Sequence, residues 1–218
     1  MSRSTASRPL TDRPLPTTIW LPGPDEPNAA PIPGAVLPAW ALDKIRTEFV
    51  GRPGHRPAPL LKIAIRDTAP GMDARIPPTP FTTPADDEDA TNRPSILLAE
   101  LHPDALPAPD DDLPAGGSEM PGALEDSWPG FFHRAHRLLP EDGFLLLATR
   151  QRRDSGQLTD PLGALIASAR TAGFRYLQHI VVVYGHPVGD RLIPTFPADA
   201  PRGVAHCDLI ALSAIRPA

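Results

Sequence analysis

The sequence predicts an α/β fold built on a mostly parallel sheet of about five strands, and three observations carry that prediction. Phe144-Leu145-Leu146-Leu147-Ala148-Thr149-Arg150 is a short apolar run without a polar face, as expected of a strand covered on both sides. Asp160-Pro161 opens a helix as cap and first residue, and Gly173 closes it. Two further apolar strands follow, Tyr176 to Tyr184 and His206 to Ile215, and these should pair with each other.

Read from the start, Met1 to Leu15 is polar and Pro-containing and is expected to be a disordered tail before a single domain over 16–218. Pro16 to Trp20 reads as a short ordered anchor, and Gly23 to Gly34 as a loop. Leu37, Ala41, Leu42, Ile45 and Phe49 recur at helical spacing, so Pro38 to Val50 is expected to be a helix with proline tolerated in its first turn. Leu60 to Asp67 is a strand ending in a carboxylate, and Ser95 to Leu101 is a second. Between them, prolines confine any strand within Ile76 to Thr83 to a sheet edge. His102 to Gly122 is acidic, holds Pro and Gly, and reads as a mobile loop. Leu124 to Leu139 has a broad apolar stripe of Trp128, Phe131, Phe132, Ala135 and Leu138, hence a helix, and Pro140 to Gly143 is a turn. Helices or long loops separate the strands starting at Leu60, Ser95 and Phe144, which makes these three parallel; the last strand should run antiparallel to its hairpin neighbour.

Composition narrows the function. Of 31 prolines, 24 precede Phe131, so the first part of the chain is rich in loops. The formal charge of −5 is segmented: residues 1–75 and 131–218 each carry 10 Lys+Arg against 7 Asp+Glu, while 76–130 carry 1 against 12. No continuous basic face of the kind that neutralises phosphates is visible; Arg134 with Arg137, and Arg150 with Arg152 and Arg153, are two small clusters that read first as solvated surface. Cys207 is the single cysteine, which rules out a disulfide within the chain and suits a reducing cytoplasm. The N-terminal stretch lacks the apolar segment of a signal peptide, and no run approaches the roughly 20 apolar residues of a membrane span. A cytoplasmic protein without membrane contact is the expectation.

Several motifs then point to a family. Leu138-Leu139-Pro140-Glu141-Asp142-Gly143 with the strand after it resembles the "LRPGG" turn and strand of Rossmann-type S-adenosylmethionine-dependent methyltransferases, closest to the actinobacterial DNA amino-methyltransferase-like proteins. Ala169-Arg170-Thr171-Ala172-Gly173-Phe174 resembles that family's "A-x-x-A-G-F" helix ending, and Leu15 to Trp20 its "LPTSVW" segment. Gly189 to Pro194 and Ala205 to Ile210 resemble the hairpin closing its sheet. The resemblance covers residues 124–218 well and 15–67 loosely. It implies a reduced Rossmann-like methyltransferase sheet with an antiparallel C-terminal hairpin.

Against that family the chemical positions are altered. The glycine-rich "D-P-F-x-G-x-G" turn, where glycine lets backbone approach the cofactor, is here Asp67-Thr68-Ala69-Pro70-Gly71-Met72-Asp73. The "[DNS]-P-P-[YFW]" motif, whose polar side chain and ring hold an extruded base, is here Glu100-Leu101-His102-Pro103, without the aromatic. The 26 residues from Thr68 to Arg93 are too few for the two strands and two helices the family places between these motifs.

The resemblance thus implies a degenerate, non-catalytic DNA-methyltransferase-like protein with no cofactor, which acts by binding a protein partner, such as an active methyltransferase, or nucleic acid. The alternative is an active S-adenosylmethionine-dependent enzyme completed by a second chain, with Asp67, Gly71 and Glu100 lining the cofactor pocket. A third reading is a nucleic-acid-binding module using Arg134, Arg137, Arg150, Arg152 and Arg153. His133 and His136 lack the companion ligands of a metal site, and His179, His186 and His206 read as structural or surface histidines. Cys207 beside His206 reads as a buried structural thiol, because adjacent strand residues face opposite ways.

Overall fold

The computed structural model describes residues 17–26, 29–50, 60–65, 79–81, 95–102, 131–154, 157–200 and 203–215. The expected tail over 1–15, nearly all of the loop over 102–122 and the turn holding Asp67 and Gly71 lie outside these residues.

The sheet is built around the two most apolar strands. β1 (Thr17–Trp20), β2 (Leu60–Ile65), β3 (Thr79–Phe81), β4 (Ile96–Leu101), β5 (Phe144–Thr149), β8 (Phe174–Val183) and β11 (His206–Ala214) form one seven-stranded sheet in the order β1-β8-β11-β5-β4-β2-β3. β2, β4 and β5 run parallel, as the intervening chain lengths require. β11 lies antiparallel between β5 and β8, and β1 pairs parallel to β8. The expected count of about five strands is therefore corrected to seven by two edge strands. Thr17–Trp20, within the expected anchor, is one of them, and Thr79–Phe81, which holds Pro80, is the other, paired antiparallel to β2. Pro80 carries no amide hydrogen for a ladder, so an edge suits it.

Two small antiparallel ribbons stand apart: β6 (Arg152–Asp154) with β7 (Gln157–Thr159), and β9 (Gly185–Val188) with β10 (Arg191–Pro194). In the second, Gly185 is required by contact, because a Cβ there would lie 2.6 Å from the Ile193 carbonyl oxygen.

Strand alternation sends each central strand's side chains into two cores. On one face, Leu97, Ala99 and Leu101 of β4, Leu145 and Leu147 of β5, and Ile210 and Leu212 of β11 pack against two helices. These are α2 (residues 131–138), through Phe131, Phe132 and Ala135, and α3 (Leu162–Thr171), through Leu165 and Ala169. On the other face, Ile96 and Leu98, Leu146 and Ala148, and Cys207, Leu209 and Ala211 pack against Trp40, Ala41 and Ile45 of α1 (Ala39–Ile45). The helix expected over Pro38 to Val50 turns into a π-helical turn at Arg46–Val50, and Pro38 stands as its N-cap rather than inside it. Asp160 accepts the Leu162 amide at 3.0 Å, so the carboxylate expected to open α3 does so, with the first helical residue two positions later. Gly173, at φ +97°, ends it.

Candidate site at the carboxyl ends of the parallel strands

In an open α/β sheet the polar chemistry gathers beyond the carboxyl ends of the parallel strands, because loops rather than helices meet there. This chain has a cluster of polar groups at that place, on the α1 face. Alternation puts Glu100 of β4 on the same side as Leu98, and Lys62 of β2 is its neighbour in the ladder region. Arg150 and Tyr184 follow directly after β5 and β8, and Cys207 sits near the start of β11. Two loops supply the remaining groups, Gly34 to Leu37 before α1 and Asp199 before β11.

The chain's own backbone occupies this cluster. Glu100 Oε2 accepts the amide hydrogens of Val36 at 2.9 Å and Leu37 at 3.3 Å, while Oε1 takes the Lys62 ammonium. Tyr184 donates its hydroxyl hydrogen to the Val36 carbonyl at 2.7 Å. Gly34, at φ +81°, turns its amide toward Asp199 Oδ2 at 3.0 Å, a conformation that favours glycine. Asp199 also stands 3.5 Å from Arg150 Nη1 and 3.4 Å from His102 Nε2. The peptide groups of 34–37 thus meet Asp199, Glu100 and Tyr184, three side chains from three separate parts of the chain.

These environments fix the charge states. Burial pushes the Tyr184 phenol well above its ordinary value, and the adjacent Cys207 adds to that. Burial likewise pushes the Cys207 thiol up, although its hydrogen bond with Tyr184 works in the opposite direction. Burial would raise Asp199 too, but the Gly34 amide and the Arg150 guanidinium outweigh it and hold the carboxyl below its ordinary value. A thiol kept neutral and fully buried is not a nucleophile. The cluster is arranged to hold a loop.

Of the sequence-derived candidates, Glu100 is here and is 4% exposed; Asp67 and Gly71 lie outside the described residues. The five arginines do not form one surface. Arg134 and Arg137 are exposed on α2, whereas Arg150 is 1% exposed on the opposite side of the sheet. The expectation that Arg150 is a solvated surface charge is corrected, because its guanidinium is drawn inward by Asp199. Arg152 is half-buried on β6, and Arg153 is on the same ribbon. His136 is committed to the Ile215 carbonyl at 2.9 Å and to the Phe174 ring edge, away from a shared site with the exposed His133. Among the described residues no group of three or more His, Cys, Asp or Glu is placed to hold a metal ion. Among them, too, no helix is long and apolar enough to cross a membrane.

Sequence reasoning missed Tyr184, Lys62 and Asp199. Tyr184 ends the apolar run of β8 and Lys62 interrupts that of β2, which was the available signal, whereas Asp199 lies in a Pro-containing loop that offers none. No protein-family model matches the chain, and none of the curated proteins matches it.

Proposed function

We propose that this chain is a non-catalytic, methyltransferase-like α/β protein that acts by binding a protein partner. The observation that carries the reading is the pairing of Glu100 with the Val36 and Leu37 amides. The resemblance places base- or cofactor-binding chemistry at this strand end, and here the carboxylate is committed to the chain's own backbone. The antiparallel β11 set between β5 and β8 and the parallel order of β2, β4 and β5 accord with a reduced sheet of that family. The partner class the resemblance implies is an active methyltransferase or a DNA-processing complex.

A protein partner is favoured over nucleic acid by the surface. The β9–β10 ribbon and the residues after it expose Val188, Leu192, Ile193 and Phe196, each at least 41% accessible. Neighbouring exposed apolar side chains mark protein contacts, whereas phosphate binding needs aligned cations, and Arg150 is withdrawn from the arginine set.

Isothermal titration of the full chain with S-adenosylmethionine tests the reading. No heat of binding is expected. Micromolar affinity, or methyl transfer to DNA once a partner chain is added, would establish the enzyme completed by a second chain instead.

A further inference from the structure

A second polar group lies on the opposite face of the sheet. Thr149 ends β5, Asp208 is its partner across the β11 ladder, and both face the side of Leu147 and Ile210. His179 of β8 is the register partner of Ile210, so it shares that face. A β-bulge between Ala211 and Leu212 makes this possible: it lets both Tyr176 and His179 point to the helical side. Asp208 Oδ1 pairs with His179 Nε2 at 2.7 Å.

Among the described residues, two further oxygens of this group lack a hydrogen-bond partner. Thr149 is fully buried and Asp208 is 3% exposed, yet Thr149 Oγ1 and Asp208 Oδ2 are both buried without a hydrogen-bond partner among the described residues. A carboxylate oxygen so placed is costly unless a donor reaches it. Two such atoms on adjacent, register-paired residues point to one missing donor group. Of the three side chains, His179 keeps 24% of its surface, which marks the approach. Beside it the same face carries half-buried Val181, the partner of Asp208, and Ile19 at 64% exposure, the partner of Val181.

We propose that Thr149 and Asp208 form a binding site for a primary ammonium group on an apolar stem. The ammonium donates to Asp208 Oδ2 and Thr149 Oγ1, and the stem lies along Val181 toward Ile19. A charge-assisted donor suits an anionic acceptor held away from water. A guanidinium suits it less, because its planar fork engages both oxygens of one carboxylate, and Oδ1 is already taken by His179. A metal ion is a poor match, since these residues provide no set of three ligands. The inference goes beyond the proposed function and is independent of it, because Glu100 and its loop lie on the other face.

The test is an amide chemical-shift titration of the full chain with n-butylammonium, tetramethylammonium and the peptide acetyl-Gly-Lys-Gly-amide. n-Butylammonium is expected to shift the Thr149, Asp208 and His179 signals, and tetramethylammonium, which has no N–H, is expected not to. Tighter binding of the peptide assigns the natural ligand to a lysine side chain, and tighter binding of n-butylammonium to a free amine; either result supports the site. Thr149→Val should fold normally and bind the better probe about tenfold more weakly, the effect of one lost hydrogen bond to a charged group. Equal responses to the two ammonium ions, unchanged affinity in Thr149→Val, or no response to n-butylammonium and the lysine peptide would overturn the proposal.

Discussion

Glu100 Oε2 and the Val36 amide nitrogen are 2.9 Å apart across 64 residues of sequence, and through that bond the loop before α1 is fastened to the carboxyl end of β4. The carboxylate is buried, and the side chain of its Lys62 counter-ion is 21% exposed. Truncation therefore strands two amides and a cation together. Glu100→Ala is expected to destabilise the protein by about 3–5 kcal/mol, as for one partner lost from a buried ion pair. Glu100→Gln keeps an oxygen for the amides and should cost less. Urea unfolding of the three proteins measures both differences.

Tyr184 fixes the same peptide from the other side, by donating to the Val36 carbonyl. Tyr184→Phe leaves that carbonyl without its donor. A loss of about 1–3 kcal/mol is expected. A double variant with Glu100→Gln should show non-additive losses, since both side chains hold one segment. Equilibrium unfolding in a double-mutant cycle gives the coupling.

Acid sensitivity follows from Asp199, whose folded pKa is depressed. The unfolded chain takes up the proton near pH 3.9, before the folded one does. The contribution of Asp199 is therefore full above that value, declines as pH falls below it, and is gone beneath the folded pKa. Asp199→Asn should flatten this acid limb while leaving stability at neutral pH lower than in the parent. Thermal midpoints between pH 2.5 and 7, an interval chosen to span roughly the carboxylate range, provide the check.

The alkaline limb has the opposite sign. Cys207 and Tyr184 are raised in the folded protein, so the unfolded chain ionises first, from about pH 8.5 for a thiol and about pH 10 for a phenol. Stability is full below those values and falls as pH rises past them. Cys207→Ala should move the onset of alkaline loss upward, toward the phenol range. Denaturation midpoints measured as a function of pH with and without the substitution show whether it does.

Gly173 joins α3 to β8 at φ +97°, and a Cβ there would lie 3.0 Å from His136 Nε2. Gly173→Ala is expected to cost about 1–2 kcal/mol from the left-handed backbone alone. It should also weaken the His136–Ile215 bond. The histidine ring proton signals, compared between parent and variant, report that displacement.

The elements easiest to read from sequence were those whose residues decide their own environment. Leu145 to Ala148 is apolar on both faces and was a buried strand from composition alone, and Asp160 with Gly173 bracketed α3. Pro16 to Trp20 reads as an anchor rather than as a strand, because the partner of β1, β8, begins only at Phe174. The β6–β7 ribbon went unseen, since Arg152 and Arg153 look like a solvated basic cluster. Of the site's residues the sequence singles out Glu100, Arg150 and Cys207, the last as the buried thiol it is. Arg150 reads as surface until Asp199, 49 residues onward, folds against it, and no local pattern reveals the orphaned oxygens of Thr149 and Asp208. Strands follow from short-range patterning; the polar cluster is made by distant loops.

Hydrogen exchange at the Val36 and Leu37 amides tests the central claim most directly, because those two groups occupy Glu100. Both amides should exchange slowly, at rates near those of β4, and S-adenosylmethionine added in excess should leave the rates unchanged. Fast exchange at both positions, or release of both when the cofactor is added, would show that the loop gives way to a ligand and would contradict the non-catalytic reading.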